Sequence, residues 1–368
     1  MSPQALSESP AAPALGSKPA LDRALEELEL HAAELDERPR FPRESFAALR
    51  EAGVPQLAAD RERCGLRTEV GLVRALASVD ASVARIVDGH FNGVERLALL
   101  GEEEFVAREL AQIADGSLLL GVWGADPGPG EGCPASIELA TSGELVLNGV
   151  KTFCSGAGGV QRALVVARDE RGARRVAYVD VTRGGAIDRA WYRASGLRAS
   201  ESHRVEFEGA PVSAVLGVAD ELAREPWFSR DAVRTAATWA GIADGILAAT
   251  TRVMVERGDG DELRLHALGR MRLARATIDR WLEHASAELD DAPGCGEERA
   301  LAAECRLALA EQARLIAAEA ARVCGSRALI GASTVDRARR DLDLFLLQHR
   351  LEPKLVQLGA DLLSRGGS

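Results

Sequence analysis

The chain has 368 residues, of which 46% are hydrophobic and 27% charged, and its formal net charge is −11. A chain of this length can bury a large core and is expected to form two or three domains. The negative charge argues against non-specific binding to nucleic acid or membranes. Because no run of about 18 apolar residues occurs, no transmembrane helix is predicted. The composition therefore indicates a soluble globular protein.

The cysteines and the N-terminal residues narrow the class further. Six cysteines are scattered without a C-x-x-C pair, which predicts reduced thiols and neither a disulfide framework nor a zinc site. His266 and His284 do not have the spacing of metal ligands, so we expect no bound metal. Residues 1–20 lack a basic start and an apolar segment, which predicts a disordered tail and not a signal peptide. A cytoplasmic protein is the default expectation.

The hydrophobic pattern divides the remaining chain into three parts. Residues 21–115 have apolar side chains at steps of three and four, the spacing of amphipathic helices. Residues 116–216 alternate polar and apolar side chains between Gly, Asn and Ser, which predicts strands and turns. Residues 217–368 return to long, alanine-rich helical patterns that suit a helical bundle. The expected fold is therefore mainly α with a β insert.

In chain order, the predicted helices of the first block are 21–37, 41–53, 68–77, 81–100 and 102–113. The predicted strands are 118–122, 136–140, 144–147, 163–167, 175–179 and 204–207. The predicted helices of the last block are 229–256, 262–289, 297–324, 335–347 and 350–363. Within the β segment, Asn148-Gly149 is predicted to form a turn between the strand 144–147 and the segment that begins at Lys151.

Four segments, in a fixed order, resemble motifs of the acyl-CoA dehydrogenase superfamily of flavoproteins. FPRESFAALREAGV (41–54) is similar to the family's helix opening, and GVWGADPGPGEG (121–132) to its G-x-T-E-P-x-x-G-S loop. LVLNGVKTFCSGAGG (145–159) resembles its NG-x-K-x-(W/F)-I-(T/S)-N-G strand and turn. GLRASESHRVEFEGAP (196–211) resembles its G-x-R-x-S strand. The resemblance covers roughly residues 20–365 and implies an N-terminal helical domain, a middle β domain and a C-terminal bundle of the four-helix type.

The resemblance implies a non-covalent flavin held against the β domain. A protein holds the isoalloxazine ring with backbone N–H groups and a hydroxyl on a rigid β edge. Ser155 keeps one of the two hydroxyls that the family uses, whereas Ala125 stands where the family has threonine. Phe153 stands where an aromatic side chain packs beside the ring, and Trp123 is the second aromatic candidate.

For the phosphate end of the flavin, the resemblance points to Arg257 and Arg322. Arg257 stands at the arginine of the family's R-x-x-F-G motif, but the Phe-Gly that should follow is absent, and Arg322 replaces glutamine in the family's Q-x-x-G-G turn. Either arginine could bind phosphate by charge-assisted hydrogen bonds. These departures leave FAD, the usual cofactor, and FMN both open. Because the family's phosphate contacts come partly from a second subunit, we expect a homodimer or homotetramer.

The first functional interpretation is α,β-dehydrogenation of an acyl thioester, with transfer of electrons to a protein partner. This reaction needs a carboxylate that removes the α-proton. The family's usual Y-E-G glutamate is absent from residues 340–349. Some members place the glutamate about ten residues before a G-I step, and counting back from Gly241 gives Asp231.

The alternative is a monooxygenase or N-oxygenase of the same fold. Asp88-Gly89-His90 and the segment around His349 resemble the G-Y-H and L-H-D-P-x-x-x-K motifs of the branch that contains dibenzothiophene monooxygenases and amino-sugar N-oxygenases. That branch receives reduced flavin from a separate reductase and forms a C4a-hydroperoxide. A neutral imidazole could hydrogen-bond there, which makes His90 and His349 the catalytic candidates. A third interpretation is a non-catalytic member that binds no flavin.

Overall fold

A computed structural model describes residues 18–366, apart from residues 259, 292, 293, 295, 331, 332 and 349. The described chain is a helical block, a β sheet and a second helical block, in that order. The predicted fold class, mainly α with a β insert, is confirmed. None of the described helices is long and apolar enough to cross a membrane.

Six helices form the first block. α5 is its centre, since most of its residues are buried, and it packs on both the second helical block and the first strand of the sheet. The carboxylate of Asp80 begins this helix by accepting hydrogen bonds from the backbone N–H groups of Ser82 and Val83, the usual role of an N-cap aspartate. The helices are α1 (Lys18–Glu37), α2 (Arg43–Glu51), α3 (Val54–Leu57), α4 (Leu66–Ala77), α5 (Ala81–Leu100) and α6 (Glu103–Ala114).

Seven strands form one sheet, in the order β1-β4-β2-β3-β7-β5, with β6 paired to β7 and β4 also paired to β5. The long antiparallel pair β3–β7 is its spine. β1 and β4 run parallel. The loop after β1 meets the end of β3 at one edge, where Ala125 forms an isolated bridge with Thr152. The strands are β1 (Leu120–Trp123), β2 (Ser136–Leu139), β3 (Leu145–Cys154), β4 (Arg162–Arg168), β5 (Arg174–Asp180), β6 (Gly185–Asp188) and β7 (His203–Leu216).

The predicted turn at Asn148-Gly149 is wrong. β3 continues through both residues, and its register against β7 shifts between Leu147 and Gly149. Gly149 takes a φ of 101° and lies against the backbone of Pro134 and Ala135. A glycine at positive φ within a strand is typical of a β-bulge. The dipeptide Asn148-Gly149, which favours a hairpin turn in sequence, therefore forms a bend inside one long strand.

The second helical block packs against the first through small residues. A Cβ atom on Gly241 would collide with the carbonyl of Arg74, so α7 and α4 approach closely because this position has no side chain. The exposed face of α11 carries leucines and a valine that touch little else. The helices are α7 (Trp227–Arg257), α8 (Glu262–Asp291), α9 (Glu298–Cys324), α10 (Thr334–Leu347) and α11 (Glu352–Gly366).

A buried ion cluster joins the two helical blocks. Arg234 of α7 is fully buried, and its guanidinium donates to Glu69 of α4 at 2.7 Å and to Glu95 of α5 at 2.8 Å. Arg61 contacts both carboxylates as well, and Arg230 contacts Glu95. Ionised groups are costly to bury unless they are paired, and here each carboxylate has more than one arginine. The cluster therefore fixes α7 against α4 and α5.

Candidate functional site

The end of β3 carries an aromatic side chain in a strained backbone. Phe153 has a φ of 52°, a left-handed conformation that bulky residues rarely adopt. Its side chain is 45% exposed and lies edge-to-face with Trp191, with ring centroids 5.0 Å apart. Trp191 is held by its indole N–H, which donates to Glu131 at 2.8 Å. Strain and exposure of an apolar ring at one position indicate a surface kept for a ligand.

Ser155, two residues further, belongs to a small hydroxyl cluster. Its Oγ lies 2.9 Å from Oγ of Ser202, which in turn lies 2.7 Å from Oγ of Ser200. The carbonyl of Ser155 accepts a hydrogen bond from the indole N–H of Trp123 at 3.1 Å. Trp123 is itself buried, so its visible role is to hold the turn.

The edge beside this turn is rigid. The ammonium of Lys151 is fully buried and donates to the carbonyls of Gly124 and Val166 and to the carboxylate of Asp126, at 2.7–3.0 Å. Ala125, the position of the missing hydroxyl, is exposed and bridges to Thr152 through its backbone carbonyl at 3.1 Å. The loop after β1 and the end of β3 therefore form one fixed β edge, with Ser155 as the hydroxyl that the family position retains.

A second polar feature, which we name the polar cluster, consists of Asp88 and Asn92 of α5, Asp231 and Thr235 of α7, and Arg306 of α9. Asp88 and Asn92 are one helical turn apart and both buried. Thr235 donates to Oδ2 of Asp88 at 3.1 Å. Oδ1 of Asp88, Oδ1 of Asn92, and Nε and Nη2 of Arg306 are buried and have no hydrogen-bond partner among the described residues. Such unsatisfied atoms are rare in folded proteins and mark this cluster for a ligand or water.

The charges of the polar cluster influence one another. Burial raises the pKa of Asp88 to about 6, against the opposing effect of Arg85, whose guanidinium lies 2.6 Å away. Burial likewise lowers the pKa of Arg306 to about 10, while the carboxylates of Asp231 and Asp88 oppose this shift. Asp231 is more open, with a 28% exposed side chain 3.6 Å from Arg234. At neutral pH Arg306 is therefore a buried cation and Asp88 a carboxylate close to its protonation range.

The N-terminal half of α5 connects the β3 turn to the polar cluster. Ile86 lies next to Gly156, the residue after Ser155, since a Cβ atom added to this glycine would lie 3.3 Å from the Ile86 side chain. Arg85 lies over the ring of Phe345 in α10 at 5.6 Å and pairs with Asp88. The hydroxyl turn and the polar cluster are thus placed by neighbouring residues of one helix.

His90 does not belong to either feature. It is completely buried, and its Nε2 lies 3.0 Å from the carbonyl of Pro55, while its Nδ1 accepts the backbone N–H of Leu120 at 3.1 Å. Both ring nitrogens therefore bind backbone, and His90 ties α3 and β1 to α5. These contacts argue against the catalytic role that the motif likeness suggested. His349, the other candidate, lies outside the described residues.

The two arginines expected at the flavin phosphate are occupied within this chain. Arg257 ends α7 and donates to the carbonyl of Cys324, at the end of α9, at 3.1 Å. Arg322 pairs with Glu319, which also accepts from Arg270. The structure brings neither of them to the β3 turn through any described contact.

The segment that aligns with the family's usual glutamate offers no equivalent base among its described residues. Asp341 is buried in α10 and accepts the backbone N–H of Leu197 at 2.6 Å, which fastens α10 to the β domain. Burial raises the pKa of Asp341 to about 7. Asp343 is exposed. No group of three or more described His, Cys, Asp or Glu side chains could hold a metal ion.

Sequence reasoning did not identify Asp88, Asn92, Arg306 or Ser202. Asp88 lies beside the His90 motif, and its i, i+4 relation to Asn92 on a mostly apolar helix is a signal that could have identified this face. Arg306 lies in an alanine-rich stretch, where one arginine among exposed charged residues carries no motif. Its significance comes only from its burial.

Comparison with known proteins agrees with the resemblance. Residues 19–117 match the family model described as acyl-CoA dehydrogenase, N-terminal domain. Dibenzothiophene monooxygenase from Rhodococcus qingshengii is 27% identical over 179 residues, which cover 45% of this chain and 42% of the relative. The matched segment thus spans less than half the length of such curated relatives.

Solved structures extend the likeness to nearly the whole chain. Methanesulfinate monooxygenase from Pseudomonas fluorescens has a TM-score of 0.85 at 23% identity, over 96% of this chain and 98% of its own. Dibenzothiophene monooxygenase from Paenibacillus sp. A11-2 has a TM-score of 0.83 at 20% identity, over 94% of this chain and 97% of its own. Butyryl-CoA dehydrogenase from Megasphaera elsdenii has a TM-score of 0.78 at 18% identity, over 94% of this chain and 96% of its own. The chain therefore has the acyl-CoA dehydrogenase fold, as predicted.

The structural role of His90 generates a prediction about pH. Burial lowers the pKa of His90 to about 4 in the folded protein, whereas a histidine in the unfolded chain has a pKa near 6.5. Between about pH 4 and pH 6.5 the unfolded chain therefore binds more protons than the folded protein. The stability that neutral His90 contributes is present above pH 6.5 and is lost as pH falls towards 4. We expect His90→Asn to be less stable than the wild type at pH 7. Between pH 7 and pH 5, its free energy of unfolding, measured with urea, should fall by about 2 kcal/mol less than that of the wild type.

The matched control is His266→Asn, which changes an exposed histidine of α8 and should follow the wild type at each pH. An unchanged pH dependence in His90→Asn would contradict the structural role of His90.

Proposed function

We propose that the protein is a flavin-dependent monooxygenase that uses reduced flavin from a separate reductase. The observation that carries this choice is that Asp341, the buried acid in the segment where the family has its glutamate, already accepts a backbone hydrogen bond. Asp231 lies beside Arg234, and the arginines Arg96 and Arg306 act on it electrostatically. The relatives reported above include several monooxygenases, which supports the alternative interpretation over acyl-thioester dehydrogenation.

The residues at the β3 turn fit a flavin ring. Phe153 and Trp191 offer an exposed aromatic wall, Ser155 offers a hydroxyl, and the fixed edge of Ala125 and Thr152 offers backbone groups. An isoalloxazine ring requires this combination of an apolar wall and a hydrogen-bonding edge. We therefore place the ring at this turn.

We propose FMN over FAD as the cofactor. Arg257 and Arg322 already bind groups of this chain, so no described arginine at these positions is left for the second phosphate and the adenosine of FAD. The dibenzothiophene monooxygenase from Paenibacillus sp. A11-2 has an FMN-bound structure, which is consistent with the smaller cofactor.

When bound, the reduced flavin supplies the electrons that activate oxygen. The chain's own residues orient and protect the reaction. Ser155 would hydrogen-bond the edge of the bound ring, and Phe153 would exclude water from one side of it. Asp88, whose pKa is raised to about 6 by burial, holds a proton-accepting carboxylate oxygen, Oδ1, that has no other partner. A buried carboxylate with a pKa near the working pH is suited to transfer a proton to or from the substrate.

The first test of the ring position is Ser155→Ala. Loss of one hydroxyl donor should weaken FMN binding by about 1 kcal/mol, roughly fivefold in Kd, as measured by fluorescence titration. Ser142→Ala, in the exposed turn before β3, is the control and should bind FMN normally. Equal affinity and equal reduction potential in Ser155→Ala and the wild type would show that Ser155 does not contact the ring.

The second test separates the two reactions. In anaerobic solution, we expect no acyl-CoA of a graded series to bleach the bound flavin, whereas NADH with a flavin reductase bleaches it. The proposal fails if an acyl-CoA reduces the flavin and Asp231→Asn slows that step by about 10²–10⁴, the usual cost of losing a catalytic base. Asp343→Asn, an exposed acid of α10, is the matched control.

We also propose that the chain is a homo-oligomer that pairs through α11. Leu355, Val356, Leu362 and Leu363 lie on one face of this helix and are all more than half exposed, and such an apolar face normally packs against another surface. The double variant Val356→Glu, Leu363→Glu should sediment as a smaller species than the wild type. Gln357→Glu, on the opposite face, should not change the assembly. A monomeric wild type would contradict this proposal.

A further inference from the structure

Arg306 is a buried cation that forms no ion pair with a carboxylate of the described residues. It lies on α9 with 5% of its surface exposed, and its guanidinium stacks over the ring of Trp239 at 5.1 Å. Its Nε and Nη2 atoms have no hydrogen-bond partner. Among the described residues, no carboxylate lies within 4.0 Å of it. Burial lowers the pKa of Arg306 to about 10, so the side chain still carries its charge at neutral pH.

A second buried arginine shows how this protein treats a structural charge. Arg234, in the neighbouring helix α7, donates to Glu69 at 2.7 Å and to Glu95 at 2.8 Å. A buried charge without such partners destabilises a fold by several kcal/mol. Arg234 is paired with carboxylates, whereas Arg306 has no such partner among the described residues. This difference points to a partner from outside the chain.

The free atoms of Arg306 define the shape of that partner. Nε and Nη2 form one edge of the guanidinium, the edge that binds two oxygens of one acidic group in parallel. Arg74 in this same protein uses these two atoms to hold both oxygens of Asp244, at 2.7 and 3.2 Å. The partner of Arg306 should accordingly present two coplanar oxygens that share a negative charge.

The surroundings of Arg306 favour a small organic acid over a metal or a polyphosphate. The carboxylates of Asp231 and Asp88 act on Arg306 from α7 and α5, and they already have arginine partners in Arg234 and Arg85. Lys354 of α11 also faces Arg306, because the arginine's charge contributes, after burial, to a lowered pKa of this lysine. Because the two aspartates also face the site, a ligand with a single negative charge meets less repulsion there than a ligand with several.

We propose that Arg306 binds the acidic group, a carboxylate, sulfinate or sulfonate, of the substrate. This inference rests on the proposed function, since it assigns a substrate class to the same site. The Trp239 ring holds the guanidinium in place, and the unsatisfied oxygens of Asp88 and Asn92 can accept hydrogen bonds from a donor group elsewhere on the substrate. The substrate is therefore an organic acid whose anionic end lies between α7 and α9.

The experiment measures anion binding to the full-length protein by calorimetry. The probes are butyrate and propanesulfonate, with butyramide and 1-butanol as uncharged analogues. We expect the anions alone to bind the wild type, Arg306→Met to weaken their binding by about tenfold or more, and Arg306→Lys to recover part of it. Arg314→Met, an exposed arginine of the same helix, is the matched control and should bind like the wild type.

A stability measurement without anions distinguishes a ligand site from a structural ion pair. Removing an unpaired buried charge should leave the melting temperature of Arg306→Met unchanged or raise it. Arg234→Met, which removes a guanidinium partner from two buried carboxylates, should melt at a clearly lower temperature than the wild type. A large loss of stability in Arg306→Met, or anion binding that is the same in this variant and the wild type, overturns the inference.

FMN binding, measured in parallel, separates this inference from the proposed function. Normal FMN binding together with no binding of either anion to the wild type overturns the inference alone. Anion binding that depends on Arg306, in a protein that binds no flavin, overturns the proposed function and leaves the anion site in place.

Discussion

Pairing of buried charge is the constraint on which the helical core depends. Arg234 reaches Glu69 and Glu95 across the junction of α4, α5 and α7, and removing one partner of such a cluster typically costs about 3–5 kcal/mol. Because α5 contributes to this cluster and also packs on the sheet, the ion pairs fix the helix from which both the β3 turn and the polar cluster are placed. The geometry of the site therefore follows from the arrangement of charges beneath it.

The site joins two different surfaces. The β edge is rigid, held by the buried ammonium of Lys151, and it presents an aromatic ring and a hydroxyl. The helical side is polar and incompletely satisfied, with free atoms on Asp88 and Arg306. A rigid edge suits a cofactor that must be oriented precisely, and unsatisfied polar groups suit a substrate that completes them.

Much of the fold was predictable because helix periodicity is a strong signal. The predicted helix 81–100 coincides with α5, and the long C-terminal helices differ from prediction by only a few residues. The sheet was harder, because bulges interrupt alternation: β3 runs through the expected turn at Asn148-Gly149, and the four-residue edge strand β6 was not predicted. In the site, the motif gave Ser155 and Phe153 as candidates. The motif also suggested His90, whose two ring nitrogens contact the backbone in the structure, because a motif does not show which way a helical side chain points.

The most direct test of the account is hydrogen–deuterium exchange of the protein with and without FMN. Bound flavin should slow exchange in peptides that cover residues 121–126 and 152–156, at the β edge, and should leave the exposed face of α8 unchanged. Exchange in these two segments that is the same with and without FMN, or protection confined to another part of the chain, would contradict the account. A protein that binds neither FMN nor FAD would contradict it as well, and would favour a non-catalytic member of the fold.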